Sequence, residues 1–419
     1  MSVREEQVAT TRRAGQARPS SESVGEPTAS GKRKRNYGID FMRVSLFTCV
    51  VMVHTVGTIN LEDVARRMSL LSMLIHFTRY GFVFVTLFVL CLAYSKRSLR
   101  PLTFWRTRFS TIVLPYVVWS AVYVVTDAWM LSPDDLPGIG ELARNAGLGI
   151  LRGDAKYQMY FLLISMQIYL FFPLIRMLIR KTAGHHGLLL AGAFVMQMGV
   201  WCAITFTHPQ GGVLAVVHEH AWKTLPTYAF FAAVGALSAY HFDRVDSWFR
   251  SHIPQVLALS VIGASFSIGA YMYLTEPGNV PKVAASAVNP ASLPWFLAAV
   301  AVLYLIAAAW NDHRGDGTGV IGRIVDFGSH RAFGVFAVHP LVIDLLHKAG
   351  FARWLFSAFP ESSTTRSLIL ALAVLAVSLV FVEVLLRSPI AKVTVARSRM
   401  SLGWARGNRS ATAEVSTDK

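Results

Sequence analysis

The chain is short of charge, and shorter still of carboxylates. Of its 419 residues only 15% are charged, with 24 Asp plus Glu against 40 Lys plus Arg, where soluble domains carry roughly a quarter. With 53% hydrophobic residues and a mean hydropathy of +0.45, that shortage excludes an ordinary soluble enzyme and implies an integral membrane protein. Cysteine is scarce too. Cys49, Cys91 and Cys202 are odd in number and lie in apolar runs, so they read as small buried hydrophobes and not as a disulfide framework or metal site. No signal peptide is expected, because residues 1–35 are polar, rich in Ser, Gly and Arg, and lack an apolar core. Nor is there room for a soluble catalytic domain. The longest non-membrane segments are 1–37, the 131–156 connection that opens with SPDDLPG, and the C-terminal tail, so chemistry has to occur within or at the edges of a helical bundle. No internal repeat is evident, which weakens an inverted-repeat transporter reading.

What is present in abundance is long apolar runs. About ten approach the ~20 residues a bilayer crossing needs, at 38–59, 75–95, 109–130, 157–179, 187–207, 222–241, 253–275, 291–310, 332–349 and 367–387. The expected fold is therefore an all-α polytopic transmembrane bundle of about ten helices. The formal charge of +16 hints at nucleic acid, but its placement argues for topology. Lys32 to Arg35 precede the first span, and basic clusters such as Arg106 and Arg108, Arg176 and Arg180, Arg244 and Arg250, Arg323 and Arg331, and Arg387 and Lys392 follow every second one. This is the positive-inside pattern for two cytoplasmic termini, held as a bias because Arg66, Arg67 and Arg353 fall on the other side. The expected division is a disordered basic cytoplasmic tail at 1–37, a membrane domain at 38–390 and a basic cytoplasmic tail at 391–419.

Ionisable residues inside apolar spans cost ~2.5 to 3.5 kcal/mol on insertion scales and by default suggest function. In RVSLFTCVVMVH, Arg43 and His54 lie eleven positions apart, which at ~100° per residue returns to within about 20° of the same face. Both side chains are expected to point into one cavity, separated by roughly 16 Å along the axis. Asp40 shares that face with Arg43 and reads either as its structural anchor at the headgroups or as part of the site. His54 is either a satisfied core histidine or a general base, since burial favours a neutral imidazole able to accept a proton. Arg43, Arg106 and Arg108 suit an anionic donor held by bidentate hydrogen bonds. His339 precedes Pro340 in a span and reads first as a core histidine. Glu383 and Arg387, four apart, form a structural pair. HEHAW, with His218, Glu219 and His220, reads as a solvated outer loop touching a polar acceptor, and no metal is expected there because no third ligand has recognisable spacing.

Several separated blocks resemble the acyltransferase-3 family of integral-membrane acyltransferases over about 40–390. YGIDFMRVSLFTCVVMVH is similar to the opening helix through Tyr37, Asp40 and the Arg-x10-His spacing of Arg43 and His54, and GFVFVTLFVL to the second-helix block. RFSTIVLPYVVWS is similar to the third-helix entry through Arg108, Pro115, Tyr116 and Trp119. YFLLISMQIYLFFPLI resembles the fourth block through Tyr160, Gln167, Tyr169 and Pro173, and AFGVFAVHPL the late block through Gly334, His339 and Pro340. The nearest-looking branch contains intercellular-adhesin-like proteins that O-acylate polysaccharides. Thr86 and Leu87 stand where the family commonly has Ser-Gly. Thr111 stands in place of the second arginine of an Arg-x-x-Arg pattern, and Ala332 and Phe336 replace frequent Ser and Tyr.

The resemblance implies transfer of an acyl group, acetyl or succinyl, from cytoplasmic acyl-CoA to a hydroxyl of a cell-envelope glycan or glycolipid in a bacterial plasma membrane. It casts His54, Arg43 and Asp40 as catalytic, Arg43, Arg106 and Arg108 as donor-binding, and Tyr160, Gln167 and His339 as substrate-binding, with no metal and no nucleic-acid partner. Two rivals use the same features. One is a transporter or flippase for an envelope glycolipid, with the polar stripe as its path; the other is a non-catalytic scaffold of an envelope assembly.

Overall fold

A computed structural model describes residues 36–59, 66–131, 136–277, 279–315 and 319–400. Among the described residues it is helical with no strand, a polytopic all-α bundle as expected. The tails expected at 1–37 and 391–419 lie largely outside the described residues.

Helix α1 (Tyr37–Ile59) is followed by α2 (Arg66–Ile75) and α3 (Phe77–Ala93), then α4 (Pro101–Met130), α5 (Ile139–Arg152), α6 (Met159–Lys181), α7 (His186–Phe206) and α8 (Gly212–Ala221). A 3-10 turn (Leu225–Tyr228) leads into α9 (Ala229–Tyr240), α10 (Phe242–Ser251) and α11 (Ile253–Leu274). The chain closes with α12 (Leu293–His313), α13 (Val320–Lys348), α14 (Phe351–Ala358), α15 (Ser363–Arg387) and α16 (Ala391–Thr394).

Among the described residues eight helices are long and apolar enough to cross a membrane, and α13 with α14, bent by 67°, makes a ninth candidate. The segment expected to span at 222–241 departs from that expectation, because α9 has only 12 residues. It nevertheless carries the chain from end to end alongside α3. Tyr228 packs on Tyr80 at its start and Phe242 on Phe88 just beyond its finish. Small residues permit the close approach: a Cβ at Gly235 would collide with the carbonyl oxygen of Phe84.

The helices alternate in direction, so their termini gather at two ends. At one end the Tyr37 amide donates to Asn311 Oδ1 (3.1 Å), Arg176 donates to the carbonyls of Tyr94 and Arg97 (2.9 and 2.6 Å), and His186 meets His241 (2.8 Å). Arg331 there pairs with Glu383 (2.5 Å), which also takes the expected contact from Arg387 (2.6 Å). This is the basic end. At the other, Arg66 donates to Thr275 Oγ1 (2.8 Å), Tyr116 to the Ile150 carbonyl (2.5 Å) and Lys348 to the Trp129 carbonyl (2.8 Å). The chain does not leave the bundle at residue 390: Ala391, Thr394 and Val395 are buried, and Trp119 donates to the Thr394 carbonyl (2.8 Å).

Two prolines inside helices redirect hydrogen bonds in the bundle interior. A proline removes the N–H that the carbonyl four residues earlier would accept. Pro173 frees the carbonyl of Tyr169, and the Trp105 indole donates to it (3.0 Å). Pro340 frees the carbonyl of Phe336, and His339 Nδ1 donates to it (2.9 Å).

Candidate active site

His54 sits in the second turn from the end of α1, where Val53, Val56, Gly57 and Thr58 share with it one wall of a cavity of about 640 Å³. The opposite wall is the α2–α3 junction, with Ser72, His76 and Arg79. The 153–160 segment supplies Asp154, Lys156, Tyr157 and Tyr160, and Trp222 with residues 280–285 completes the rim. All of these lie at the end away from the basic clusters.

Local sequence explains each placement. Gly153 ends α5 in the left-handed region (φ +71°), and a Cβ there would stand 3.0 Å from Tyr160 Cα, so the tight turn into Lys156 and Tyr157 requires glycine. Lys156 anchors that turn between Asp127 (2.6 Å) and Asp344 (2.7 Å). Burial pulls the ammonium toward its neutral form, yet the two carboxylates outweigh it and raise its pKa above the ordinary lysine value. Tyr157 is thereby laid against His54, with ring centroids 4.4 Å apart. His76 Nδ1 donates to the Ala285 carbonyl (3.1 Å) and Trp295 to the Leu74 carbonyl (2.7 Å), which straps the 280–288 loop over the cavity.

His339 is fully buried and stacks on His54, with centroids 5.3 Å apart and planes 23° from parallel. Because Nδ1 gives its proton to the carbonyls of Val335 and Phe336, a neutral His339 carries its lone pair on Nε2, which has no partner among the described residues. Among the described residues nothing hydrogen-bonds to either nitrogen of His54, so its ring edge is free for a substrate. A second, narrow void of about 30 Å³ adjoins His54, walled by Val50, Phe82, Phe161 and Phe336 together with His76, Arg79 and Gln158.

The expectation that Arg43 and His54 open into one cavity is not met, since neither void at His54 is lined by Arg43. Arg43 stands at the basic end with Asp40 at 3.8 Å, within electrostatic reach of Tyr169 and Arg108. Arg108 lies over the rings of Phe104 and Tyr169, 5.9 Å from each centroid. Arg106 is exposed and does not join them. Asp40, about 21 Å from His54 along α1 at ~1.5 Å per residue, is a partner of Arg43 and not of the imidazole. Tyr160 does line both voids. Gln167 does not: its amide donates to the Lys223 carbonyl (2.8 Å) and accepts from the Leu225 amide (2.9 Å), clamping the turn before α9. HEHAW is helical, the end of α8, and its contribution to the cavity is Trp222.

One finding identifies the lineage. The family model Acyl_transf_3, described as an acyltransferase domain, matches residues 36–383. The chain belongs to this acyltransferase family. No curated protein and no solved structure matches it. Within this acyltransferase domain, His76, Arg79, Lys156 and Tyr157 line the cavity beside His54 and were passed over by sequence reasoning, and Trp222 was read only as part of HEHAW. Arg79 and His76 carried a usable signal, because they are ionisable residues in an apolar span, the criterion that singled out His54. Lys156 lies in the connection between α5 and α6 and carried none, and Tyr157 and Trp222 were the first residues of the expected spans 157–179 and 222–241, where nothing set them apart from other apolar residues.

Proposed function

We propose that this multi-pass membrane acyltransferase moves an acyl group from cytoplasmic acyl-CoA to a hydroxyl of a cell-envelope glycan or glycolipid, with His54 as the general base. The observation that carries the reading is His54 itself, an imidazole with unbonded nitrogens facing a large cavity at the end of the bundle opposite the cations. By the positive-inside rule the basic end is cytoplasmic, so the cavity opens outward, to an acceptor in the envelope of a bacterium. Arg43 and Arg108, at the basic end beyond His54, suit the phosphates of a coenzyme.

In this reading the acceptor hydroxyl gives its proton to His54 as its oxygen attacks the thioester carbonyl. The tetrahedral intermediate collapses by breaking the carbon–sulfur bond, and the departing thiolate takes the proton back from the imidazolium, leaving an ester and the free thiol of coenzyme A. Tyr157 and His339 fix the ring plane of His54 from two sides. Acetyl and succinyl are the acyl groups proposed.

The test is acyl transfer by purified, folded protein, followed as free thiol with acetyl-CoA or succinyl-CoA and envelope glycan. His54→Ala is expected to lower the rate by about 10²- to 10⁴-fold. Wild-type transfer by that variant would end His54's assignment. A flippase releases no thiol, so thiol appearing in step with modified glycan separates the two readings.

A further inference from the structure

Arg79 is half-buried on α3 at the floor of the outer cavity. Among the described residues its guanidinium has no carboxylate and no hydrogen-bond partner; it lies over the rings of Tyr160 (5.3 Å) and Trp222 (5.9 Å). Among the described residues three other inward-facing cations have carboxylate partners. Arg331 has Glu383, Lys156 has Asp127 and Asp344, and Lys223 has Asp154. A desolvated charge without a counter-ion is costly, and cation–π contact supplies only part of the compensation. The cavity wall adds Lys282, whereas Lys156 is balanced by Asp127 and Asp344 and the one carboxylate among the lining residues, Asp154, is taken by Lys223. The cavity thus carries positive charge, with the planar donor fork of Arg79 unspent.

We infer that the acceptor is an acidic sugar: a carboxylate or phosphate on or beside the ring is held by Arg79, which brings a neighbouring hydroxyl to His54. Guanidinium pairs with either oxyanion in bidentate fashion, and a neutral sugar would leave Arg79 uncompensated in a site from which it displaces water. The inference rests on the reading of the cavity as the acceptor site.

The test measures binding of glucuronic acid, glucose 6-phosphate and glucose to the full-length protein in zwitterionic lipid nanodiscs, by ligand-observed NMR. Both acidic sugars are expected to bind at least tenfold more tightly than glucose. That preference should shrink with added salt, vanish in Arg79→Gln and persist in part in Arg79→Lys. His54→Ala is expected to keep the preference while losing transfer, so failure of the base assignment and failure of the anion site give different results. Equal binding of glucose and glucuronic acid by the wild type overturns the inference without recourse to any variant, as does an undiminished preference in folded Arg79→Gln. Displacement of glucuronic acid by coenzyme A, or by phosphatidylglycerol added to the discs, would assign the anion to the donor or to the bilayer and equally overturn it.

Discussion

Helix α6 carries a tyrosine toward each end of the bundle, and each has an arginine over its ring. At the basic end Arg108 covers Tyr169; at the cavity end Arg79 covers Tyr160. Neither arginine has a carboxylate partner among the described residues. The surroundings differ. Around Arg108 the cations are many, Arg43 beside it is tied to Asp40, and no large cavity is lined by them. Around Arg79 the cations are few, but they line about 640 Å³ of space next to His54. A cluster of cations at the helix ends is accounted for by topology, whereas a cation left without a partner beside a cavity points to a ligand. In the proposed reading Arg108 and Arg79 would grip the two anionic substrates on either side of His54, as a reaction whose donor and acceptor arrive from opposite sides requires.

The largest expected effect breaks the comparison at its centre. His54→Ala should lower transfer by about 10²- to 10⁴-fold while leaving both grips intact, so that coenzyme A and glucuronic acid still bind at wild-type affinity. A loss of either affinity would make His54 part of a grip. Arg108→Ala comes next: removing a charged hydrogen-bond donor worth about 1.5 to 3 kcal/mol should raise KM for acyl-CoA roughly ten- to a hundredfold with kcat little changed. Unchanged KM would leave the basic end with topology alone.

That pairing of ends was half legible in the sequence. The all-α bundle and the basic exits follow from hydropathy and charge placement, because a membrane forces chain into helices of known length, whereas the one cavity expected for Arg43 and His54 does not form. The shortness of α9 was not legible, since its apolar run continues through Trp222 to Tyr228 while the 3-10 turn that Gln167 clamps shortens the helix. His339 shows the same limit: its Pro340 neighbour was readable as a distortion, but its stacking on His54 depends on how α13 meets α1. Arg79 was readable by the rule already applied to His54. Tyr157 and Lys156 were not, because nothing in the sequence around them announces that a glycine turn will fold that segment back over His54.

Lys156 gives a smaller effect that sharpens the cavity end. Lys156→Met removes the link between Asp127 and Asp344 that holds the Tyr157 turn, and transfer should fall several-fold through kcat. Because its folded pKa lies above the unfolded value, the stability Lys156 contributes is present below the ordinary lysine pKa and fades as pH rises through the folded one. Thermal melts of wild type should therefore converge on those of Lys156→Met only in strongly alkaline buffer. A constant gap across that range would remove the ion pairs as the cause. Gln167→Ala should act on folding alone, costing about 1 to 3 kcal/mol for the orphaned backbone groups, with KM for donor and acceptor unchanged. A raised acceptor KM at full stability would restore Gln167 to the site.

The smallest effect tests the other end. Arg106 and Arg108 are two residues apart on α4, so they point about 200° away from each other, and only Arg108 turns inward to Tyr169. Arg106 is solvent-exposed, where a single charge contributes little to a site on the far face of its helix. Arg106→Ala should therefore leave KM for acyl-CoA within about twofold of wild type, beside the large change in Arg108→Ala measured in the same lipid and salt. A rise in KM as large as that of Arg108→Ala would mean that the donor's phosphates lie outside the bundle along the exposed face of α4. The symmetry between Arg108 and Arg79 would then be broken, because the donor would be gripped at the surface and only the acceptor by an arginine set over a tyrosine of α6.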